Sequence, residues 1–226
     1  MTYTFYGHSC FSIEVNGIQI LVDPFITGNE MAAAIDVEEL KADYILLSHG
    51  HSDHILDCVS IALRTGAKVV CSFEIHEWLN DKGVTNTHPM NIGGKWTFDE
   101  FTVKCVVAQH SSVLPDGTYG GNPMGFIVYA GKESFYYAGD TGLTMDMELI
   151  RRWADLNFAI LPIGDNFTMG IEDAVIAAQF AGAKKVIGVH YDTFGYIKIN
   201  KEDAQTAFSE KGLELILPEI GERITL

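Results

Sequence analysis

Four apolar runs in this chain each stop on a residue that can bind a divalent metal, and that pattern restricts the fold more than any other feature. Asp43-Tyr44-Ile45-Leu46-Leu47 leads into Ser48-His49-Gly50-His51-Ser52-Asp53-His54, and Phe101 to Gln109 runs into His110. Ser134 to Gly139 runs into Asp140, and Lys185 to Val189 into His190. In α/β proteins functional groups collect where strands end, because rigid elements hold the loop residues in place. The four endings are expected to converge on one site.

The first ending is the densest. Neutral imidazole and carboxylate are ligands that a divalent transition metal favours, and His49, His51, Asp53 and His54 crowd into one short stretch. After a buried strand the chain must turn, so His49 and His51 alternate outward from a tight loop and can reach one ion. Asp53 and His54 are expected to open a helix running to about Leu63 and can face a second. The plain alternative is a strand-to-helix loop that happens to be rich in histidine.

Elsewhere the patterning reads as strands first and helices later. Thr2 to Tyr6, Cys10 to Val15 and Ile18 to Val22 alternate, with Asn16-Gly17 between the last two as a hairpin turn. Asp23-Pro24 ends that hairpin, and a polar connection from Gly28 to Lys41 leads to the histidine cluster. Beyond the cluster come a strand at Lys68 to Cys71, a helical stretch at Glu74 to Leu79, a loop around Thr87-His88-Pro89, and strands at Lys95 to Phe98 and Phe101 to Ala108. Gly125 to Ala130 and Ser134 to Ala138 form another hairpin. Strand and helix then alternate: Phe158 to Ile163, helix Ile171 to Ala181, Lys185 to Val189, helix Glu202 to Lys211 and Leu213 to Leu217. The expected class is α/β, with two sheets face to face, helices on the outer faces and a single domain over residues 1–226. A weak twofold echo, strands then helix twice over, is not visible as a repeat of residues.

Composition narrows the function. A formal charge of −15 repels polyanions, which argues against nucleic acid as a partner, and no apolar run approaches the roughly 20 residues that span a bilayer. No basic segment followed by an apolar one opens the chain, so a cytoplasmic location is expected. Cys10, Cys58, Cys71 and Cys105 are scattered without a C-x-x-C pair and read as buried thiols. A homo-oligomer is common at this size.

The H-x-H-x-D-H run, followed far downstream by His, Asp and His, resembles the metallo-β-lactamase superfamily. Gly7-His8-Ser9-Cys10-Phe11, Asp23-Pro24-Phe25, Ala138-Gly139-Asp140-Thr141, Leu161 to Gly170 and His190 to Phe194 look like the small bacterial metal-dependent hydrolases near the ascorbate-6-phosphate lactonase branch. The resemblance implies a four-layer αββα sandwich of two mixed sheets. It also implies one ion on His49, His51 and His110, a second on Asp53, His54 and His190, and Asp140 between them. A carboxylate at Asp140 stands where the true β-lactamases often carry cysteine, which makes antibiotic hydrolysis a poor expectation.

Further residues were singled out by position. His8 follows the first strand and is a candidate substrate contact or proton donor, with a packed or hydrogen-bonded structural histidine as the alternative. Asp23 can hold a ligand histidine by its far N–H, or simply form a turn before Pro24. Asp165, Asn166, Thr168 and Met169 end a strand and are candidate substrate contacts, while His76 and His88 read as surface residues. The expected activity is binuclear metal-dependent hydrolysis of a small molecule by a metal-bridging hydroxide that Asp53 orients, at a site with a net charge of about +1, and the resemblance implies a small anionic lactone or ester as the substrate. Zinc is expected ahead of manganese or iron. The alternatives are a phosphodiesterase acting on a small or lipid-like substrate, and a redox or non-catalytic member of the same fold.

Overall fold

The computed structural model describes residues 1–226. Its first strands are β1 (Thr2–Gly7), β2 (Cys10–Val15), β3 (Ile18–Val22), β4 (Tyr44–Leu46), β5 (Lys68–Ser72) and β6 (Thr87–Met90). The next are β7 (Lys95–Thr97), β8 (Thr102–Val107), β9 (Met124–Ala130), β10 (Glu133–Tyr137), β11 (Phe158–Pro162), β12 (Lys185–Val189) and β13 (Glu214–Ile216). A last strand, β14 (Arg223–Thr225), returns to pair antiparallel with β1. The result is two seven-stranded sheets, ordered β14-β1-β2-β3-β4-β5-β6 and β13-β12-β11-β10-β9-β8-β7.

Each sheet begins as an antiparallel meander and continues in parallel. In the first, β1, β2 and β3 are antiparallel neighbours and β3 through β6 run parallel; in the second, β7 to β10 are antiparallel and β10 through β13 parallel. The twofold echo expected from the strand and helix order is thus present in the topology. The Asn16-Gly17 turn explains why the first hairpin is so tight: both residues take positive φ, 50° and 84°, as a two-residue turn requires.

Strand alternation builds the layers. On β9, Phe126 and Val128 point into the core between the sheets while Ile127 points to the outer helices, so every second residue serves a different interface. The inter-sheet core is rich in aromatics, among them Tyr3, Phe11, Phe126, Phe135, Tyr137 and Phe158, all buried. Outside the first sheet lie α1 (Ser52–Ile55), α2 (Cys58–Thr65) and α3 (Phe73–Asp81), which contribute Ile55, Ile61, Ile75 and Leu79 to a second core. Outside the other lie α4 (Ile150–Trp153), α5 (Ile171–Ala181) and α6 (Lys201–Ser209), whose Ala174, Ala178 and Phe208 build a third. This is the αββα sandwich. The four cysteines are free and buried, and no helix is long and apolar enough to cross a membrane.

Two local expectations need correction. The single helix expected from His54 to Leu63 is broken, because Asp57 sits at φ −95°, ψ 0° between α1 and α2. Its buried carboxylate accepts from the backbone N–H of Ile26 (2.6 Å) and Thr27 (3.0 Å) and from the Thr27 hydroxyl, so it ties down the loop after β3. The segment Thr87-His88-Pro89 is not a loop but the edge strand β6, an edge being where a proline is tolerated. His88 is half-buried there beside Trp96 and Phe98, with ring centroids at 4.8 and 5.1 Å, and His76 on α3 is also partly covered.

Candidate metal centre

All the strand endings singled out by sequence meet at one end of the sandwich. The nitrogens of His49, His51 and His110 lie within 4.8 Å of one another, as do the ligand atoms of His8, Asp53, His54 and His190. Asp140 stands between the two groups. Its Oδ2 is 3.0 Å from His190 Nε2, 3.2 Å from His54 Nε2, 3.7 Å from His110 Nε2 and 4.0 Å from His49 Nε2.

The far side of each ring decides which nitrogen is free. Buried Asp23 gathers the tethers: its Oδ1 accepts from Ser48 N–H (2.8 Å), and its Oδ2 from Ser48 Oγ (2.6 Å), Tyr137 OH (2.6 Å) and His54 Nδ1 (2.9 Å). Ser48 Oγ gives its proton to Asp23, so at 2.9 Å it accepts from His49 Nδ1. His51 Nε2 faces Ser111 Oγ at 3.4 Å. His49 Nε2, His51 Nδ1 and His54 Nε2 are therefore the ring nitrogens turned inward, as in ligating histidines.

The donor set fits divalent cations for a reason visible in the polar contacts. His49 Nε2 and His51 Nδ1 face each other at 2.9 Å with their ring protons committed elsewhere, an opposition that a shared cation turns into coordination. His54 Nε2 and Asp140 Oδ1 are buried with no hydrogen-bond partner, and groups so costly to bury need one. A further trio, Asp23, His49 and His54, is not a separate site, since Asp23 Oδ2 already accepts from three donors and Oδ1 from Ser48 N–H.

The charges are arranged to match. Burial and then the neighbouring His54 drive His49 well below its usual range, and burial lowers His51 and His110 as well, so these rings stay neutral. Burial opposes charge on Asp140, but His54 and His190 outweigh it and hold the carboxyl well below its ordinary value. At His54 burial likewise opposes the charged ring, and Asp140 with Asp23 prevails to raise it well above normal. Burial, then the Asp23 carboxylate, pushes the Tyr137 phenol well up, so it remains a donor.

His8 stands among the site residues and is hydrogen-bonded at both ring nitrogens. It is buried, its Nε2 lies 3.0 Å from Asp53 Oδ2 and its Nδ1 3.0 Å from Thr193 Oγ1. Burial, then His190, lowers its pKa to about 4, so Nε2–H donates to Asp53 while Nδ1 accepts from Thr193. In this arrangement both nitrogens are engaged and the ring holds Asp53 in place. Asp53, its side chain 26% exposed, is the carboxylate of the site open to solvent.

The backbone at this end is strained in a way no sequence pattern announces. Apart from Asn16, every non-glycine residue with positive φ lies in a loop here: His8, Asp23, Asp165, Asn166, His190 and Asp192. Close packing adds to it, because a Cβ on Gly164 would collide with the carbonyl oxygen of His190. Gly164→Ala is expected to shift His190, destabilise the fold by about 1–3 kcal/mol and weaken metal retention, read by thermal melting and metal titration.

Of the expected substrate contacts, Met169 is a correction: it is fully buried in the core beneath α5, its N–H held by Thr141 O at 3.0 Å. Asp165 and Asn166 are exposed but occupied locally, Asp165 Oδ1 accepting from Asn166 N–H at 2.7 Å, and Thr168 bonds within the same turn. It is Phe167 from that loop that reaches the cleft beside Asp53.

Comparison with known proteins shows the family. The family model described as "Beta-lactamase superfamily domain" matches residues 19–191. The chain belongs to the metallo-β-lactamase superfamily. Within the superfamily it is 55% identical over 226 residues to a protein of Flavobacterium johnsoniae named UPF0173 metal-dependent hydrolase, covering the whole of both chains. It is 53% identical to the protein of that name in Christiangramia forsetii, again at full coverage of both. Among solved structures it resembles Igni18, a metallo hydrolase of the archaeon Ignicoccus hospitalis, with TM-score 0.90 and 33% identity, covering 100% of this chain and 97% of the other. The isothiocyanate hydrolase from Delia radicum gut bacteria shares the fold, with TM-score 0.81 at 18% identity and coverage of 100% and 99%. The chain is thus a metal-dependent hydrolase of this superfamily.

Proposed function

We propose that residues 1–226 work as one binuclear metallo-hydrolase unit that opens a small anionic lactone or cleaves a corresponding ester. The observation that carries this reading is Asp140 Oδ2, set among the inward nitrogens of His49 and His110 on one side and of His54 and His190 on the other. One cation would be held by His49, His51 and His110, a second by Asp53, His54 and His190, with Asp140 shared. Zinc suits the five imidazoles best, and manganese or iron suits the carboxylates. Divalent ions there supply Lewis acidity, which makes water nucleophilic at neutral pH and stabilises negative charge on oxygen.

The rest of the chemistry belongs to side chains of this chain. Asp53 Oδ2 is pinned by His8, and its Oδ1 takes no hydrogen bond from the protein, so Oδ1 is placed to accept one from the attacking water and align it. His8 is itself fixed by Thr193, which limits the rotation of Asp53. The water's oxygen joins the acyl carbon, the ester C–O bond breaks, and the two protons of the water are shared between the new carboxyl group and the leaving oxygen. A phosphodiester carries one negative charge, as an anionic lactone does, so Glu30, Asp53, Asp192 and Lys198 in the cleft do not separate the two readings and the substrate panel below does.

The test is metal analysis of protein purified without added metal, followed by assays of lactones, carboxylic esters, thioesters and phosphodiesters under each metal. About two ions per chain and chelator-sensitive cleavage of lactones or esters are expected. Turnover confined to phosphodiesters, or no bound metal, would overturn the reading.

A further inference from the structure

The open side of the centre is a cleft of about 1040 Å³ whose apolar wall is made by Phe25, Met31, Phe167, Phe194 and Tyr196. These residues come from separate loops, and their rings meet in two groups. Phe25 and Phe194 flank His8 with centroids at 5.6 and 5.3 Å, Phe25 and Phe194 are 6.5 Å apart, and Phe167 meets Tyr196 at 6.3 Å. Met31, Phe167 and Tyr196 remain 52, 50 and 79% exposed. Single exposed apolar residues need no explanation, but several lining one concavity that also includes the solvent-facing carboxylate of the site do.

The charges narrow the occupant further. Glu30 and Asp192, the lining carboxylates that lie outside the metal ligands, share the cleft with Lys198, and the whole chain carries −15. A substrate with several negative charges would be repelled on approach, whereas one charge has Lys198 as its partner.

We propose that the substrate is amphipathic: a lactone or ester with an aryl or alkyl body that lies against the Phe25–Phe194 and Phe167–Tyr196 walls, and with no more than one negative charge. Its scissile carbonyl sits at Asp53, where water adds to the acyl carbon as the C–O bond to the alcohol breaks. This rests on the metallo-hydrolase reading for the bond cleaved, but not for the apolar occupant.

Two measurements separate these parts. Calorimetry of metal-free protein with 4-phenylbutyrate reads the cleft without turnover; binding that weakens about tenfold in the Phe167→Ala/Tyr196→Ala double variant is expected, both side chains being exposed enough to remove without disturbing the core. With zinc-loaded enzyme, kcat/KM is expected to rise at least about tenfold from 4-nitrophenyl acetate to the octanoate, and the octanoate-to-acetate ratio to fall about tenfold in the double variant. Ester turnover with a flat chain-length profile and no 4-phenylbutyrate binding would overturn the proposal while leaving the hydrolase reading intact. Probe binding that depends on the two rings, without cleavage of any ester or lactone, would support the apolar site and sink the lactone and ester reading instead.

Discussion

Asp140→Asn is expected to reduce the metal content to one ion per chain or fewer and to lower hydrolysis about a thousandfold or more, with the far-ultraviolet circular dichroism unchanged. The size of the effect follows from where the carboxylate sits. Its Oδ2 approaches nitrogens of both histidine groups, at 3.0 and 3.2 Å on one side and 3.7 and 4.0 Å on the other. The amide of asparagine is neutral and offers one oxygen, so the charge that holds two cations together is gone. Elemental analysis beside a kinetic assay checks both halves of the expectation. Retention of two ions with ordinary turnover would show that Asp140 is a packing residue.

Asp23→Ala is expected to be the most damaging change to stability, although Asp23 touches neither solvent nor substrate. Four donors end on its carboxylate: Ser48 N–H, Ser48 Oγ, Tyr137 OH and His54 Nδ1. Removing it leaves these donors unpaired in the interior at a cost of about 3–5 kcal/mol, which lowers the melting temperature by roughly 6–20 °C for a chain of this size. His49 and His54 lose their tethers together, so metal affinity falls about tenfold to a hundredfold. Tyr137→Phe removes only one donor and leaves Asp23 three others, so it is expected to cost about 1 kcal/mol. Scanning calorimetry of the two variants, followed by zinc titration, checks the ranking. Equal melting points would mean that the Asp23 cluster contributes little.

The parts of the fold legible in the sequence are those set by local pattern. Helix α5 and strand β12 begin and end where periodicity places them, and the Asn16-Gly17 turn has the positive φ values its residues favour. Strand β14 escaped because it is three residues long and exists through pairing with Thr2, Tyr3 and Thr4 at the other end of the chain. The break between α1 and α2 escaped for a similar reason: Asp57 ends the helix by binding backbone at Ile26 and Thr27, remote in sequence. Tertiary partners, rather than propensity, decided both.

The site divides along the same line. His49, His51, Asp53 and His54 announce themselves by spacing, and His110, Asp140 and His190 by ending strands. The tethers were only partly legible, since Asp23 follows a strand but Ser48 and Tyr137 carry no signal beyond sitting near one. His8 was legible as a site residue, but its two expected roles are not separable by sequence, because they differ in what both ring nitrogens meet, here Asp53 and Thr193. The aromatic cleft was the least accessible part. Phe25, Phe167, Phe194 and Tyr196 have no common spacing, and Met169, equally close in sequence to the loop that lines the cleft, turns into the core instead.

The most direct test is anomalous diffraction at the zinc edge from crystals grown with saturating zinc. Two peaks are expected on either side of Asp140, one among His49, His51 and His110 and the other among Asp53, His54 and His190. A single peak, or peaks only at surface carboxylates, would contradict the binuclear centre.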